Sequence, residues 1–448
     1  MLAFWLSTLD TRPSTHFMIR WLFSKTIREA IAMRKHVWRW YCAQRDLLSP
    51  QAMGAVTLAL NELQLAIHEA KPNPGRIRIK MEELEFAANK WLKPYPNAVW
   101  RENVEVLLVA IGVAMGIRTF FLQPFKIPTG SMQPTLYGVT SVPDYYPVYA
   151  EIQGGLDDRA KIQGDADKQM KLQQAIIIPN GWGRLRDWLH GISYVHFVAP
   201  TDGTVDENGI QKPWPQTFFS IYQRIEFAGE WHTIWFPPDY GEEDLRFRAG
   251  LDSGRYFHKG EDVIKLSVRA GDHLFVDRLT YNFRPPERGE VVVFNTHGIT
   301  SLPPGQQDTF YIKRLVGLGG ETLSLQQDYE VADVPRMGKV PVGQLIVNGQ
   351  TLPVSTPHFT NLYAFADARS GQKVLEYQPN HYYGHAMVEG LAPGETFQVE
   401  TNRFFVMGDN TFNSLDSRYW GDFSSDHVIG KSLFVYWPIT QRFGWGNQ

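Results

Sequence analysis

One stretch limits every arrangement open to this chain. Val104–Leu122 reads VEVLLVAIGVAMGIRTFFL, an apolar run about a hundred residues from the N-terminus, with sequence of a different character on either side. Its uncharged part, Val106–Ile117, would span only about 18 Å as a helix, against a hydrocarbon core of about 30 Å. Extension through Arg118 to Phe125 reaches a spanning length, with Arg118 placed where its guanidinium can snorkel to the headgroups. Trp100, Phe120, Phe121 and Phe125 give an aromatic flank at each end. The run predicts a transmembrane helix over 104–124. With so much chain ahead of it, it is not a cleaved leader.

The chain on the N-terminal side is basic. Residues 1–100 hold 14 Lys and Arg against 8 Asp and Glu, although the net charge of the whole chain is -3. Basic sequence ahead of a membrane segment marks the cytoplasmic side, and the overall balance gives no case for binding nucleic acid. Three stretches have helical spacing: Ile27–Trp40, Ala52–Glu69 after the start signal Ser49-Pro50, and Met81–Leu92. Lys71–Gly75 and Lys93–Asn97, both Pro-bearing, break them. Residues 1–100 therefore read as a helical, basic, cytoplasmic region. Met1–Phe17 fits no periodicity, and Met18 is a candidate start. The single cysteine, Cys42, excludes an intramolecular disulfide framework and a multi-cysteine zinc site. Set in a Trp-rich helical stretch, it reads as a packed thiol.

Beyond Phe125 the pattern changes to short apolar runs punctuated by Gly and Pro: His273–Asp277, Glu290–Asn295, Phe310–Val316, Thr322–Leu325, Gln344–Val347, Phe404–Met407 and Lys431–Trp437. Such runs indicate a mainly β domain over 125–440. Gly138–Ala270, aromatic-rich and acidic with mixed signals, reads as an inserted lobe.

Three motifs carry chemistry. The first, Pro124-Phe125-Lys126-Ile127-Pro128-Thr129-Gly130-Ser131-Met132-Gln133-Pro134-Thr135-Leu136, follows the apolar run directly. Taken alone, Ser131 is a turn residue; a serine becomes a nucleophile only with a base beside it, and lysine can be that base. The second is Tyr311–Glu321, YIKRLVGLGGE. Lys313 lies inside an apolar strand pattern, where burial would lower its pKa from about 10.4 toward neutrality; the bland reading is an edge-strand charge facing water. Gly317–Gly320 is a turn and not a phosphate loop, since no Lys-Ser/Thr or helix follows. The third is Gly408–Gly421, GDNTFNSLDSRYWG, dense in short hydrogen-bonding side chains suited to a rigid polar loop. In it Ser414 is placed to orient a lysine amine, and Asp416 and Arg418 to pair and hold the loop.

In identity and order the three motifs resemble the bacterial type I signal peptidases. The similarity covers mainly 104–136, 271–296, 309–325 and 404–436. The resemblance implies a signal-peptidase-like, β-rich catalytic domain with an inserted lobe, a transmembrane helix on its N-terminal side and a helical cytoplasmic region. It implies a serine endopeptidase of the inner membrane, single-pass and facing the periplasm, that removes signal peptides from exported preproteins without a metal or other cofactor. By the same resemblance Ser131 is the nucleophile and Lys313 the general base, Thr129 and the Ser131 amide form the oxyanion hole, Ser414 orients the lysine, and Ile127 and Ile312 line shallow pockets for small side chains. The chain departs from the family in the lobe at about 138–270, in a second insertion at about 354–393, and in its long basic N-terminal region. These leave the substrate range and the oligomeric state open.

Two rivals remain. A self-cleaving serine–lysine peptidase of the repressor type would need an internal cleavage site and a DNA-binding domain, and neither is evident. An inactive membrane-tethered β scaffold would keep the motifs as structure alone. His381 and His385, at i,i+4 spacing with Gly384 between them, read as a polar loop and not a zinc pair. Asp202–Gly209 lacks EF-hand spacing and reads as a turn. Most of the tryptophans read as core, with a few left to meet a bilayer interface.

Overall fold

The computed structural model describes residues 24–69, 72–93, 98–153, 159–215, 220–251, 254–368 and 374–445. Met1–Phe17 and Met18 lie outside them. The chain divides into two compact units at Ile111/Gly112.

In the first unit three helices follow from local signals. Ser24 caps α1 (Lys25–Gln44), accepting from the Ile27 amide. Ser49 followed by Pro50 opens α2 (Pro50–His68), and Asn73 followed by Pro74 opens α3 (Pro74–Trp91); in both, proline takes the first helical position, where its missing N–H costs nothing. The helices bury one apolar cluster that includes Ile27, Val37, Val56, Leu60, Leu63, Ile77 and Leu84. Gln44 ties the end of α1 to the chain after α3, donating to the Lys93 carbonyl at 2.7 Å and accepting from its amide at 3.1 Å. Cys42 is exposed on α1. It is not a packed thiol, because the helix turns its Val37 and Tyr41 side to the core instead.

Helix α4 runs Ala98–Phe120. Within it Trp100–Phe120 is long and apolar enough to cross a membrane, with mean hydropathy 1.6 and none of that window buried. The helix ends earlier than the predicted 104–124. Phe121 is a turn whose carbonyl accepts from the Arg278 amide, and Leu122 already belongs to a strand. The length missing at that end is recovered at the other, so that the 21 residues reach about 31 Å. Phe125 lies beyond the helix, on the strand that follows it, and its ring meets Phe310 edge-on at 5.5 Å.

The second unit is built on an eight-stranded sheet. Its strands are β1 (Leu122–Lys126), β2 (His273–Asp277), β3 (Val291–Asn295), β4 (Phe310–Gly317), β5 (Arg403–Met407), β6 (Phe423–Ser424), β7 (Val428–Trp437) and β8 (Gly444–Trp445). The order is β1-β2-β7-β3-β4-β5-β6, with β8 beside β7 and each pair antiparallel. Strand β3 shows why VVVF is a continuous apolar run: Val291 and Val293 enter one core cluster with Leu274, Val276 and Val435, while Val292 and Phe294 enter another with Leu315, Val406 and Phe423. Both faces are covered, so alternation of apolar and polar residues disappears. Smaller sheets from 322–398 pack around Phe359, Leu362 and Tyr363.

The inserted lobe mixes helices, the longest of them Arg159–Ala175, with β structure. Thr140–Val142, Ile192–Val198 and Asp262–Arg269 form one sheet, and Gly203–Ile210, Tyr222–Phe227, Glu230–Trp235 and Tyr256–Phe257 another. They share a core that includes Val195, Ile225, Phe227, Phe257, Ile264 and Leu266. Asp202–Gly209 is therefore mostly strand and not a turn; its register is broken between Val205 and Ile210, which hides the alternation. Most of the described tryptophans are exposed, Trp100, Trp182, Trp235 and Trp445 among them, contrary to the expectation of core packing.

Candidate active site

Strand β1 delivers the serine motif, whose chain turns sharply at Thr129–Gln133, with the Gln133 amide bonded to the Gly130 carbonyl. The turn is held from outside by the third motif. Asn410 donates from its amide to the Ser131 carbonyl at 3.1 Å and from Nδ2 to the Gly130 carbonyl at 2.9 Å. Gly408 must be glycine for the two motifs to meet: a Cβ there would lie 2.5 Å from the Ser131 carbonyl oxygen and 2.2 Å from Ser414 Oγ.

Lys313 comes from β4, a strand flanked by β3 and β5. The reading of a charge facing water fails because the side chain is buried; β3 pairs with Lys313 itself, and β5 occupies the other side from Arg314 onward. Its Nζ lies 2.8 Å from Ser131 Oγ and donates to its neighbour's carbonyl, Ile312 O, at 3.2 Å. Ser131 is buried as well, at 7% exposure. Burial pulls the Lys313 amine down to about 8; the carboxylates of Asp416, Glu242 and Asp409 oppose the shift without cancelling it, and the Arg418 charge adds to it. An amine with that pKa is substantially neutral near pH 7–8 and able to accept a proton. Thr129 Oγ1 lies 3.4 Å from Ser131 Oγ, on the rim of the same turn.

Around this pair sits a charged scaffold. Asp416 accepts from the Arg418 amide, Nε and Nη2 and from the Gly408 amide, with the Asp416 and Arg418 side chains at zero exposure. Burial alone would raise the Asp416 carboxyl, and the adjacent guanidinium more than reverses this, holding it below its ordinary range. Arg418 also reaches the Ala386 carbonyl and Thr411. A second buried pair escaped the sequence reading. Arg314 clasps Asp409 through Nε at 2.7 Å and Nη2 at 2.5 Å, and Asp409 also accepts from Thr135 of the serine motif. The signal was present: adjacent residues of a strand face opposite ways, so with Lys313 and Arg314 consecutive in a buried strand, Arg314 needed a carboxylate of its own.

Other assigned residues sit as follows. Ser414 is buried, and its hydroxyl acts on the Asp416 carboxyl, which it helps to lower, and not on Lys313. Ile127, 2% exposed, belongs to the core cluster containing Met132 and Leu136, with Ile312 packed against it and partly exposed. His381 lies in an exposed loop, but His385 is a buried strand residue with Nε2 3.1 Å from the Tyr363 hydroxyl. Burial and the Arg418 charge lower it to about 3. No cluster of metal-ligating side chains occurs among the described residues.

The family model for signal peptidase, peptidase S26, matches residues 100–145 and 261–437, about half of the chain, and leaves 146–260 unmatched. Signal peptidase I of Leptolyngbya laminosa is 26% identical over 44% of this chain and 74% of its own length. Probable signal peptidase I-2 of Synechocystis is 25% identical over 39% and 59%, and signal peptidase I of Bacillus caldolyticus 27% identical over 42% and 80%. A crystal structure of signal peptidase I from Enterococcus faecalis aligns with 33% of this chain and 97% of its own, at 22% identity and a TM-score of 0.21. The fold and these relatives define a serine peptidase, a hydrolase. The chain belongs to the signal peptidase family, peptidase S26, of the type I class.

Proposed function

We propose that this chain is a membrane-anchored signal peptidase that cleaves exported preproteins after small residues, with Ser131 as nucleophile and Lys313 as general base. The observation that carries the reading is the buried Lys313 amine 2.8 Å from Ser131 Oγ. The neutral amine takes the Ser131 proton as Oγ attacks the scissile carbonyl carbon. The Ser131 amide and the Thr129 hydroxyl donate to the developing oxyanion. The protonated amine then returns the proton to the departing nitrogen of the mature chain, leaving the signal peptide esterified to Ser131. A water that loses its proton to Lys313 hydrolyses the ester. Ile312 is placed to wall the groove and Ile127 to floor it, which suits small substrate side chains.

The same reading places Trp100–Phe120 across the inner membrane, with the helical, basic N-terminal unit in the cytoplasm and the β-rich unit in the periplasm. A helix with an uncharged, unburied stretch over Val106–Ile117 and its charges near the ends is suited to lipid. Purified chain in detergent should cleave a preprotein and take up a serine-acylating probe at Ser131, and Ser131→Ala should do neither. Failure of the wild type on both counts would leave the inactive scaffold as the reading. Protease added to spheroplasts should digest the β-rich unit; digestion confined to the first hundred residues would reverse the orientation.

A further inference from the structure

The lobe that interrupts the family match sends one loop, Pro237–Asp244, onto the serine motif. Asp239 pairs with Lys126 at 2.9 Å and accepts from the Gly241 amide at 3.0 Å. Gly241 has φ of +75°, and a Cβ on it would lie 2.9 Å from the Pro128 carbonyl oxygen. The next residue toward the catalytic serine is Thr129. Behind the loop, buried Arg248 holds the Tyr240 carbonyl at 2.7 Å, and the Tyr240 hydroxyl donates to Gln223 at 3.1 Å. The loop is thus fixed from both sides.

Each acid of this loop but one has a local task. Asp239 has Lys126, Glu243 feels Arg248, and Asp244 caps the helix Leu245–Ala249. Glu242 is exposed and makes no hydrogen bond or ion pair with a described residue. Its carboxyl is raised by lost hydration, and the cation that pulls it back is Lys313. Its charge also reaches Tyr311, which burial first and Glu242 second push up to about 12. Tyr311 and Lys313 are two apart on β4 and share a face, with the amine 5.2 Å from the ring centroid. Glu242 directly follows Gly241, whose backbone packs on the Pro128 carbonyl, so it stands beside the serine motif.

We infer that Glu242 is a specificity-determining residue, which receives a lysine or arginine side chain of the substrate close to the scissile bond. The assignment rests on the peptidase reading above. It gives the lobe a role in substrate choice that the matched segments of the family do not supply.

The test uses the full chain in detergent and preprotein peptides identical except for one residue. That residue is Lys, Gln or Glu, stepped across the positions flanking the cleavage site, and kcat/KM is measured for each. At one position Lys should be favoured over Gln by about fivefold, as a partly exposed ion pair allows, and added salt should erode the preference. Glu242→Gln should bring that ratio to about one, and Glu242→Lys should invert it in favour of Glu. Inversion is something a merely structural role would not produce. Equal cleavage at every position, or a preference that survives Glu242→Gln, overturns the assignment while leaving the peptidase reading intact. No cleavage of any peptide by the wild type, together with an unlabelled Ser131, overturns both.

Discussion

The eight-stranded sheet and the sheets of the inserted lobe are both antiparallel, yet the two regions fill their interiors differently. The lobe packs Val195, Ile225, Phe227, Ile264 and Leu266 into a conventional apolar core, with Arg248 as the one buried cation among its described residues. Beside the sheet, Lys313, Arg314, Asp409, Asp416 and Arg418 are all buried within a short distance of the serine turn. Apolar packing holds a shape against water without fixing the direction of any single group. A buried bidentate pair is a poor source of net stability but admits few geometries. The lobe is constructed for persistence, and the surroundings of Ser131 for aim.

That contrast can be attacked at graded depth. Lys313→Ala should lower kcat by about 10^4-fold, and Ser131→Ala combined with it should be no worse than either alone, since the two act as a unit. The sign of the pH dependence follows from the depressed amine: in wild type the rate should rise with pH and level off above about 8, as Lys313 loses its proton. A flat profile through that window would remove lysine from the base role. Asp416→Ala should destabilise the fold by about 3–5 kcal/mol, because Arg418 is left buried with its charge uncompensated. A thermal melt unchanged from wild type would show that the charged scaffold is not rigid in the way described.

Smaller effects sharpen the comparison. Thr129→Val keeps the branched shape and removes the hydroxyl, so turnover should fall about a hundredfold with near-normal melting temperature and KM; a large loss of stability would make Thr129 structural instead. In the lobe, Ile264→Val should cost about 1 kcal/mol with cleavage retained. If cleavage drops in step, the lobe and the catalytic turn are not separable. Ser414→Ala is expected to cost about 1 kcal/mol, since the buried hydroxyl supports the Asp416 carboxylate. A shifted acid limb of the pH–rate profile in that variant would show that Ser414 turns toward Lys313 when substrate is present.

The same contrast explains what could be read from the amino acids. Among the strands of the second unit, HLFVD and TLSL lie at the expected residues, and the other runs differ only at their ends. Of the three helices before α4, the second showed its start in the sequence at Ser49-Pro50; the third begins at Pro74, ahead of the expected Met81, because Asn73-Pro74 opens a helix where the sequence suggested a break. The lobe was opaque as β structure. Irregular registers at Val205/Ile210 and Phe197/Val198 break the period-two signal on which a strand is recognised. For the site, motif order was enough to single out Ser131 and Lys313. It could not disclose the Arg314–Asp409 pair or Glu242, whose meaning comes from neighbours far away along the chain.

The two bonds from Asn410 to the serine turn join residues separated by 280 positions. A contact that distant in sequence forms late, after the intervening chain has paid its loop-closure entropy. During synthesis the serine leaves the ribosome long before Asn410 does, and until then its turn lacks the clasp that fixes its carbonyls. The clasp on the serine turn therefore closes only once the chain through Asn410 has been made.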